Sequence, residues 1–149
     1  MTDPTRRFGH ELAAALRAGD VSSRELTSAH LDNAQRQNHA LNAWLSIEPD
    51  EALRQADAAD TRLAAARAEG PTAIAALHPL LGLPIALKDL VSVAGGQCTA
   101  GSRILEGYVA PYDAHVTERL RDAGAVILGK TNMDDSRWAR RTSGRRSGR

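Results

Sequence analysis

Apolar positions recur at helical spacing over the first half of the chain and give way to short, unbroken apolar runs in the second. Leu12, Ala15 and Leu16 fall on one face of residues 8–18, with Gly19 as a stop, which predicts a short amphipathic helix. Ser22-Ser23-Arg24-Glu25 reads as a capping box, in which the serine hydroxyl and the glutamate satisfy free N–H groups at a helix start. The helix it opens is predicted to run to about Gln37, stacking Leu26, His30 and Ala34. Leu41–Ile47 alternates apolar and polar residues, as a short strand does. Pro49-Asp50-Glu51 opens a third helix, predicted to reach about Ala68, with Leu53, Ala56, Ala59/Asp60 and Leu63 at helical spacing and Gly70-Pro71 ending it.

After a loop through His78-Pro79 the pattern changes. Pro84–Lys88 reads as a strand, Asp113–Ala123 as a helix capped by Asp113 and stopped by Gly124, and Ala125–Leu128 as a buried, all-apolar strand. Strand, helix, strand predicts an α/β unit with the first three helices packed outside it. Lys88 then lies at the carboxyl end of its strand, the edge where open α/β sheets place ligands.

Composition changes this picture little. A chain of 149 residues can hold one domain with a real core, and with aromatics at 3% that core must rely on Leu, Ile, Val and Ala. No apolar run reaches the roughly 18 residues of a spanning helix. The start, Met1 to Arg7, leads into no continuous apolar segment, which argues against a signal peptide and for the cytoplasm. The single cysteine, Cys98, forms no internal disulfide and fits a reducing compartment.

Taken alone, Lys88 beside Asp89 reads as a solvated, ion-paired surface lysine, since lysines are seldom buried. Gly124 to Thr131 formally fits the phosphate-loop pattern G-x-x-x-x-G-K-[ST]. Its four middle residues are apolar and read as the strand itself, so their N–H groups belong to a sheet ladder rather than to a phosphate. Cys98 as a nucleophile would need His78 or His115 beside it; a small buried apolar role suits a free cysteine better. Thr99 and Ser102 read as a polar turn. The histidines 10, 30, 39, 78 and 115 show no paired-ligand spacing, and His30 is expected to be half-buried on its helix. The scarcity of aromatics leaves no stacking surface for RNA.

Four blocks, in this order, carry a resemblance: Leu81-Gly82-Leu83-Pro84-Ile85-Ala86-Leu87-Lys88-Asp89, Gly101-Ser102-Arg103-Ile104-Leu105-Glu106, Pro111-Tyr112-Asp113-Ala114, and Gly124-Ala125-Val126-Ile127-Leu128-Gly129-Lys130-Thr131-Asn132-Met133-Asp134. Together they resemble the amidase signature family, over roughly residues 10–134 and most strongly from Pro79. Within it, the second and third blocks favour the tRNA-dependent amidotransferase branch over stand-alone amidases of small amides. The resemblance implies an α/β fold, here the N-terminal and incomplete part of the amidase signature fold, a mixed sheet flanked by helices. Residues 1–70 would form a helical part and 71–134 the start of the α/β core. It implies Lys88 as the base of a Ser–cis-Ser–Lys triad. Lysine suits that role because burial disfavours its charged form, and a neutral amine can take a proton from a bridging serine. Both serines belong to a segment C-terminal to Asp134, so neither is assigned here. Lys130 and Asn132 become turn residues near that segment, and residues 98–102 could help shape the pocket. The implied activity is glutamine hydrolysis that supplies ammonia to a partner subunit, which amidates Glu-tRNA(Gln) or Asp-tRNA(Asn) with ATP and Mg. The implied assembly is a heterotrimer with two other subunits. Neither ATP nor Mg is expected on this chain, and the tRNA is expected on the partner.

The last residues depart from that pattern. Positions 136–149 hold six arginines and no acid; without those six, 13 of the 19 basic groups face 18 acidic ones, a balance of −5. Members of the family usually continue Asn-Met-Asp-Glu-Phe-Ala-Met-Gly-Ser-Ser. Loss of one nucleotide in that glutamate codon yields Asp-Asp-Ser-Arg-Trp-Ala-Arg-Arg, the order read from Asp134 to Arg141. Residues 135–149 are therefore expected to be an aberrant, frameshifted basic tail, disordered for want of anything to bury and leaving a chain without activity of its own.

Overall fold

The computed structural model describes residues 4–133; the expectations for residues 135–149 lie outside these. The element order is α1 (Gly9–Ala18), α2 (Ser23–Leu41), β1 (Trp44–Ile47), α3 (Pro49–Glu69), α4 (Pro71–Ala76), β2 (Pro84–Lys88), α5 (His115–Asp122) and β3 (Val126–Thr131). The strands form one mixed sheet in the order β1-β3-β2, with β1 antiparallel and β2 parallel to the central β3. β1 comes from the helical half, so the sheet joins both halves of the chain.

The capping box forms as predicted. Ser22 Oγ accepts the Glu25 N–H at 3.1 Å, and Glu25 Oε2 accepts the Ser22 N–H at 2.9 Å. Hydrogen bonds from the Ser22 backbone and side chain hold the Glu25 carboxyl below its ordinary pKa. A second carboxylate reaches the same helix end from α3: Asp60 accepts the N–H groups of Ser23 and Arg24, at 2.7 and 3.0 Å. Negative charge there also meets the positive end of the α2 dipole. α2 runs one turn past the predicted end, to Leu41. Its stop is Asn42 in the left-handed region, and the Asn38 side chain grips both the N–H and the carbonyl of Trp44. That grip delays β1 to Trp44. α4 occupies the stretch predicted as loop. Pro71 at its first position is pre-set for a helix, but six residues are too few to show a period.

Two clusters form the core. Leu12, Leu16, Leu26, Ala59, Leu63 and Leu81 join α1, α2 and α3 to the turn before β2. Leu31, Ala52, Ala56, Val126 and Leu128 join α2 and α3 to the sheet. Small alanines along α3 let α2 and the sheet approach closely, and each fully buried leucine contributes about 2 kcal/mol of burial. Ser23 Oγ donates to the Gly82 carbonyl at 2.8 Å, and Gly82 N–H donates to the Gly124 carbonyl at 2.9 Å. These bonds tie the helical half to both parallel strands where they begin.

Gly124 stops α5 in the left-handed region as predicted, but Asp113 does not cap it. Asp113 Oδ1 instead accepts the Ala94 N–H at 2.7 Å, while Oδ2 pairs with Arg121 at 3.1 Å. Its carboxylate fastens the preceding connection to α5 rather than starting the helix.

Candidate active site

Parallel β2 and β3 deliver their carboxyl ends to one edge of the sheet, and residues 89–114 leave from that edge before α5 returns the chain. Lys88 is the last residue of β2 and stands opposite Thr131. Side chains alternate here: Leu87 and Asp89 are buried, Ala86 and Lys88 exposed. The predicted strand-end position of Lys88 is observed. Its burial is not, because β2 is an outer strand and the face alternating with Leu87 meets solvent.

The buried lysine is Lys130. It is 4% exposed and Asp89 is 1% exposed, with Nζ 3.9 Å from Asp89 Oδ1. Nζ also donates to the Asp89 carbonyl at 3.4 Å and to the Val91 carbonyl. Asp89 Oδ2 accepts from the Thr99 N–H at 3.0 Å and from its hydroxyl, and the Cys98 thiol donates to the Asp89 carbonyl at 3.1 Å. Burying both charges costs desolvation, which this set of hydrogen bonds offsets. The backbone just beyond Lys88 is thereby fixed by side chains from β3 and from residues 98–99.

Two sequence expectations change. Asp89 pairs with Lys130 rather than with its neighbour Lys88. Lys130 is a strand residue rather than a turn residue, because β3 continues through Gly129 to Thr131. The apolar run ends at Leu128, and a buried lysine leaves no apolar signal beyond it. Gly129 makes the continuation possible: its φ is 151°, and a Cβ there would lie 2.2 Å from the Ser46 carbonyl oxygen. Asn132 follows the strand and bonds back to the carbonyls of Ala43 and Asn42.

Other candidates resolve simply. Cys98 is buried, and the hydrogen-bond neighbours of its thiol are Asp89 and Ser92. His78 Nδ1 accepts the Leu80 N–H, and His115 lies 3.6 Å from Glu118, so neither histidine serves Cys98. Thr99 serves Asp89, and Ser102 Oγ accepts the Ile104 N–H in the short 3-10 turn Arg103–Leu105. The phosphate-loop pattern is a strand: Val126 N–H donates to the Leu83 carbonyl at 2.9 Å, and Ile127 N–H to Gln55 at 2.9 Å. His30 is half-buried on α2, as expected. Among the described residues, no three His, Cys, Asp or Glu side chains gather as metal ligands, and no helix is long and apolar enough to cross a membrane. Two small cavities, of about 130 and 150 Å³, lie between α2 and β1 and between α3 and the end of α5, away from Lys88.

The family model for amidases matches residues 25–149. The chain belongs to the amidase signature family. It is 48% identical over 135 residues to a glutamyl-tRNA(Gln) amidotransferase subunit from Acidothermus cellulolyticus, covering 91% of this chain and 25% of that protein. The subunit of the same name from Chromohalobacter salexigens is 50% identical over 125 residues, covering 84% of this chain and 24% of that protein. The solved peptide amidase of Stenotrophomonas maltophilia superposes with a TM-score of 0.74 at 35% identity, covering 87% of this chain and 25% of that one. The α/β amidase architecture is thus present in part, as expected, and the chain spans about a quarter of the length of the curated relatives it matches.

Proposed function

We propose that this chain supplies the lysine-bearing part of the glutamine-hydrolysing subunit of a tRNA-dependent amidotransferase. The observation that carries the reading is Lys88 at the carboxyl end of a parallel strand, its side chain open to an incoming partner surface and its backbone held by the buried Asp89–Lys130 pair. The names of the relatives from Acidothermus and Chromohalobacter support this branch of the family.

In this reading Lys88 Nζ, as the free amine, accepts a proton from a bridging serine. That serine takes the proton of the nucleophilic serine, which attacks the glutamine side-chain amide. The proton returns through the same relay to the amide nitrogen, which leaves as ammonia with a glutamyl ester remaining on the serine; water, giving its proton to the relay, then releases glutamate. Both serines come from polypeptide beyond Asp134, so residues 1–149 alone do not turn over glutamine. The ammonia passes to one of two other subunits in a cytoplasmic heterotrimer, which binds the charged tRNA and uses ATP and Mg; none of these is bound by this chain. The divergent stretch after Asp134 fits a single-base frameshift, and sequencing the gene through that codon tests it. Downstream sequence that one added base returns to Glu-Phe-Ala-Met-Gly-Ser-Ser and a Gly/Ser-rich segment supports the frameshift, whether it lies in the gene or in the original reading, and downstream sequence that no single base returns to that pattern overturns it.

The experiment that tests the function compares ammonia release from glutamine and from small amides, using the chain completed with the polypeptide of a relative and its partner subunits. Glutamine hydrolysis stimulated by ATP and Glu-tRNA(Gln) is the expected result. Hydrolysis of small peptide amides, with no response to partner subunits, would favour a stand-alone amidase; the 35% identity to a peptide amidase makes that the second reading.

A further inference from the structure

Of the 19 lysine and arginine residues in the sequence only Lys88 and Lys130 are lysines, and both stand at the carboxyl ends of the parallel strands. The register sends them to opposite faces of the sheet. Val126 and Leu128 lie in the core cluster under α2 and α3, and strict alternation would put Lys130 on that face as well. Ile85 pairs with Ile127 but Leu87 pairs with Lys130, so β3 carries one residue more than β2 between these pairs. Such a bulge turns the side chains that follow it to the other face. Lys130 thus lies beside Leu87, on the face of Asp89, while Lys88 keeps the other face, opposite Thr131. Lys88 also opens a turn: Val91 N–H donates to the Lys88 carbonyl at 2.9 Å, and Asp89 N–H to the Thr131 carbonyl at 3.1 Å. Lys130 Nζ fills this turn from its buried side, donating to the Asp89 carbonyl at 3.4 Å and to the Val91 carbonyl, with the Asp89 carboxylate 3.9 Å away. A compact ammonium with three donors suits these convergent acceptors, whereas the planar fork of an arginine is shaped for a single carboxylate or phosphate.

We propose that Lys130 is a positioning residue for Lys88. It braces the Lys88–Val91 turn from inside the fold and so sets the direction in which the Lys88 amine leaves the sheet edge, without touching substrate. This role rests on Lys88 as the base in amide hydrolysis, whichever amide is the substrate. Without the brace, the pairing of Lys88 with Thr131 remains, but the turn beyond it loses the donor that holds two of its carbonyls on the buried side. A displacement of about 1 Å at a reacting group costs on the order of 10²-fold in rate. Substrate binding loses no contact with Lys130, so the loss falls on kcat and leaves KM unchanged.

Lys130→Met alone strands the buried Asp89 charge, so the test combines it with Asp89→Asn, which removes that charge and keeps a side-chain oxygen for Thr99. In the completed enzyme with its partner subunits, the double variant is expected to lose more than about tenfold in kcat with KM within about twofold of wild type. The Val91 amide should lose hydrogen-exchange protection while the amides of α2 keep theirs. Leu63→Ala, a destabilising change in the helical core, should leave kcat within about twofold. A double variant that turns over at the wild-type rate, or whose loss is in KM alone, would overturn the role of Lys130. So would an equal loss of kcat in Leu63→Ala, because stability alone would then explain the effect. A wild type that hydrolyses small amides rather than glutamine counts against the proposed function alone, since the ratio of variant to wild type is taken on the amide that is turned over. If the wild type hydrolyses neither, the proposed function falls and the Val91 amide decides: protection retained in the double variant overturns the brace.

Discussion

The helical half and the carboxyl end of the sheet bury their interiors by opposite means. Between α1 and the turn before β2 the interior is mainly leucine and alanine, with polar groups holding the start of α2 and, through Ser23 Oγ, the Gly82 carbonyl. At the carboxyl end of β2 the interior is a charge pair, a threonine, a thiol and backbone carbonyls, and the large apolar side chains Leu90, Ile104, Leu105, Tyr108, Val109 and Tyr112 of the connection are exposed. An apolar core tolerates modest changes of shape and supplies stability. A buried polar cluster fixes geometry and tolerates the loss of no member. The second arrangement sits directly behind Lys88, and in the proposed function it fixes where that amine stands.

Substitutions sharpen the contrast. Lys130→Met leaves Asp89 as an uncompensated buried charge, and a loss of about 3–5 kcal/mol is expected. Urea denaturation measures it, and the amide of Thr99 should lose exchange protection before those of α2 do. A loss below about 1 kcal/mol would show that the pair is not structural. Leu63→Ala in the helical core should cost about 2–5 kcal/mol and lower protection across α1, α2 and α3 together, because the cavity is shared by the whole cluster. Glu25→Gln is a smaller change, read through pH. The Glu25 carboxyl lies below its ordinary pKa in the folded chain, so its contribution is present above the unfolded value and is lost as pH falls through the folded one. The wild-type melting temperature should therefore fall more than that of Glu25→Gln on acidification from neutral pH, and equal falls would remove the capping box from the account. Ile104→Ser should change the stability of the isolated chain by less than about 0.5 kcal/mol, since nothing covers that side chain.

The helical half was legible in the sequence because its signals are local. Gly19, Ser22 to Glu25, Pro49 and Gly70 punctuate helices whose buried faces repeat at helical spacing. The misses came where the deciding contact is distant in sequence. Asn42 ends α2 only because a left-handed asparagine and the Asn38 side chain take over the chain there. Asp113 looked like a cap and instead holds Ala94, 19 residues away. Lys130 looked like a turn residue because its burial depends on Asp89 and Val91, in the connection that follows the neighbouring strand. For Lys88 the sequence places the residue at the strand end, but burial is not a property of the described residues. It depends on what the exposed side of β2 meets.

The measurement that tests the central claim most directly is glutamine hydrolysis by the completed enzyme with Lys88 replaced. Lys88→Ala is expected to lower kcat by about 10²-fold or more, the loss that follows removal of a general base, with the circular dichroism spectrum and partner association unchanged. Hydrolysis at the wild-type rate in Lys88→Ala would contradict the assignment of Lys88 as the catalytic lysine of this chain.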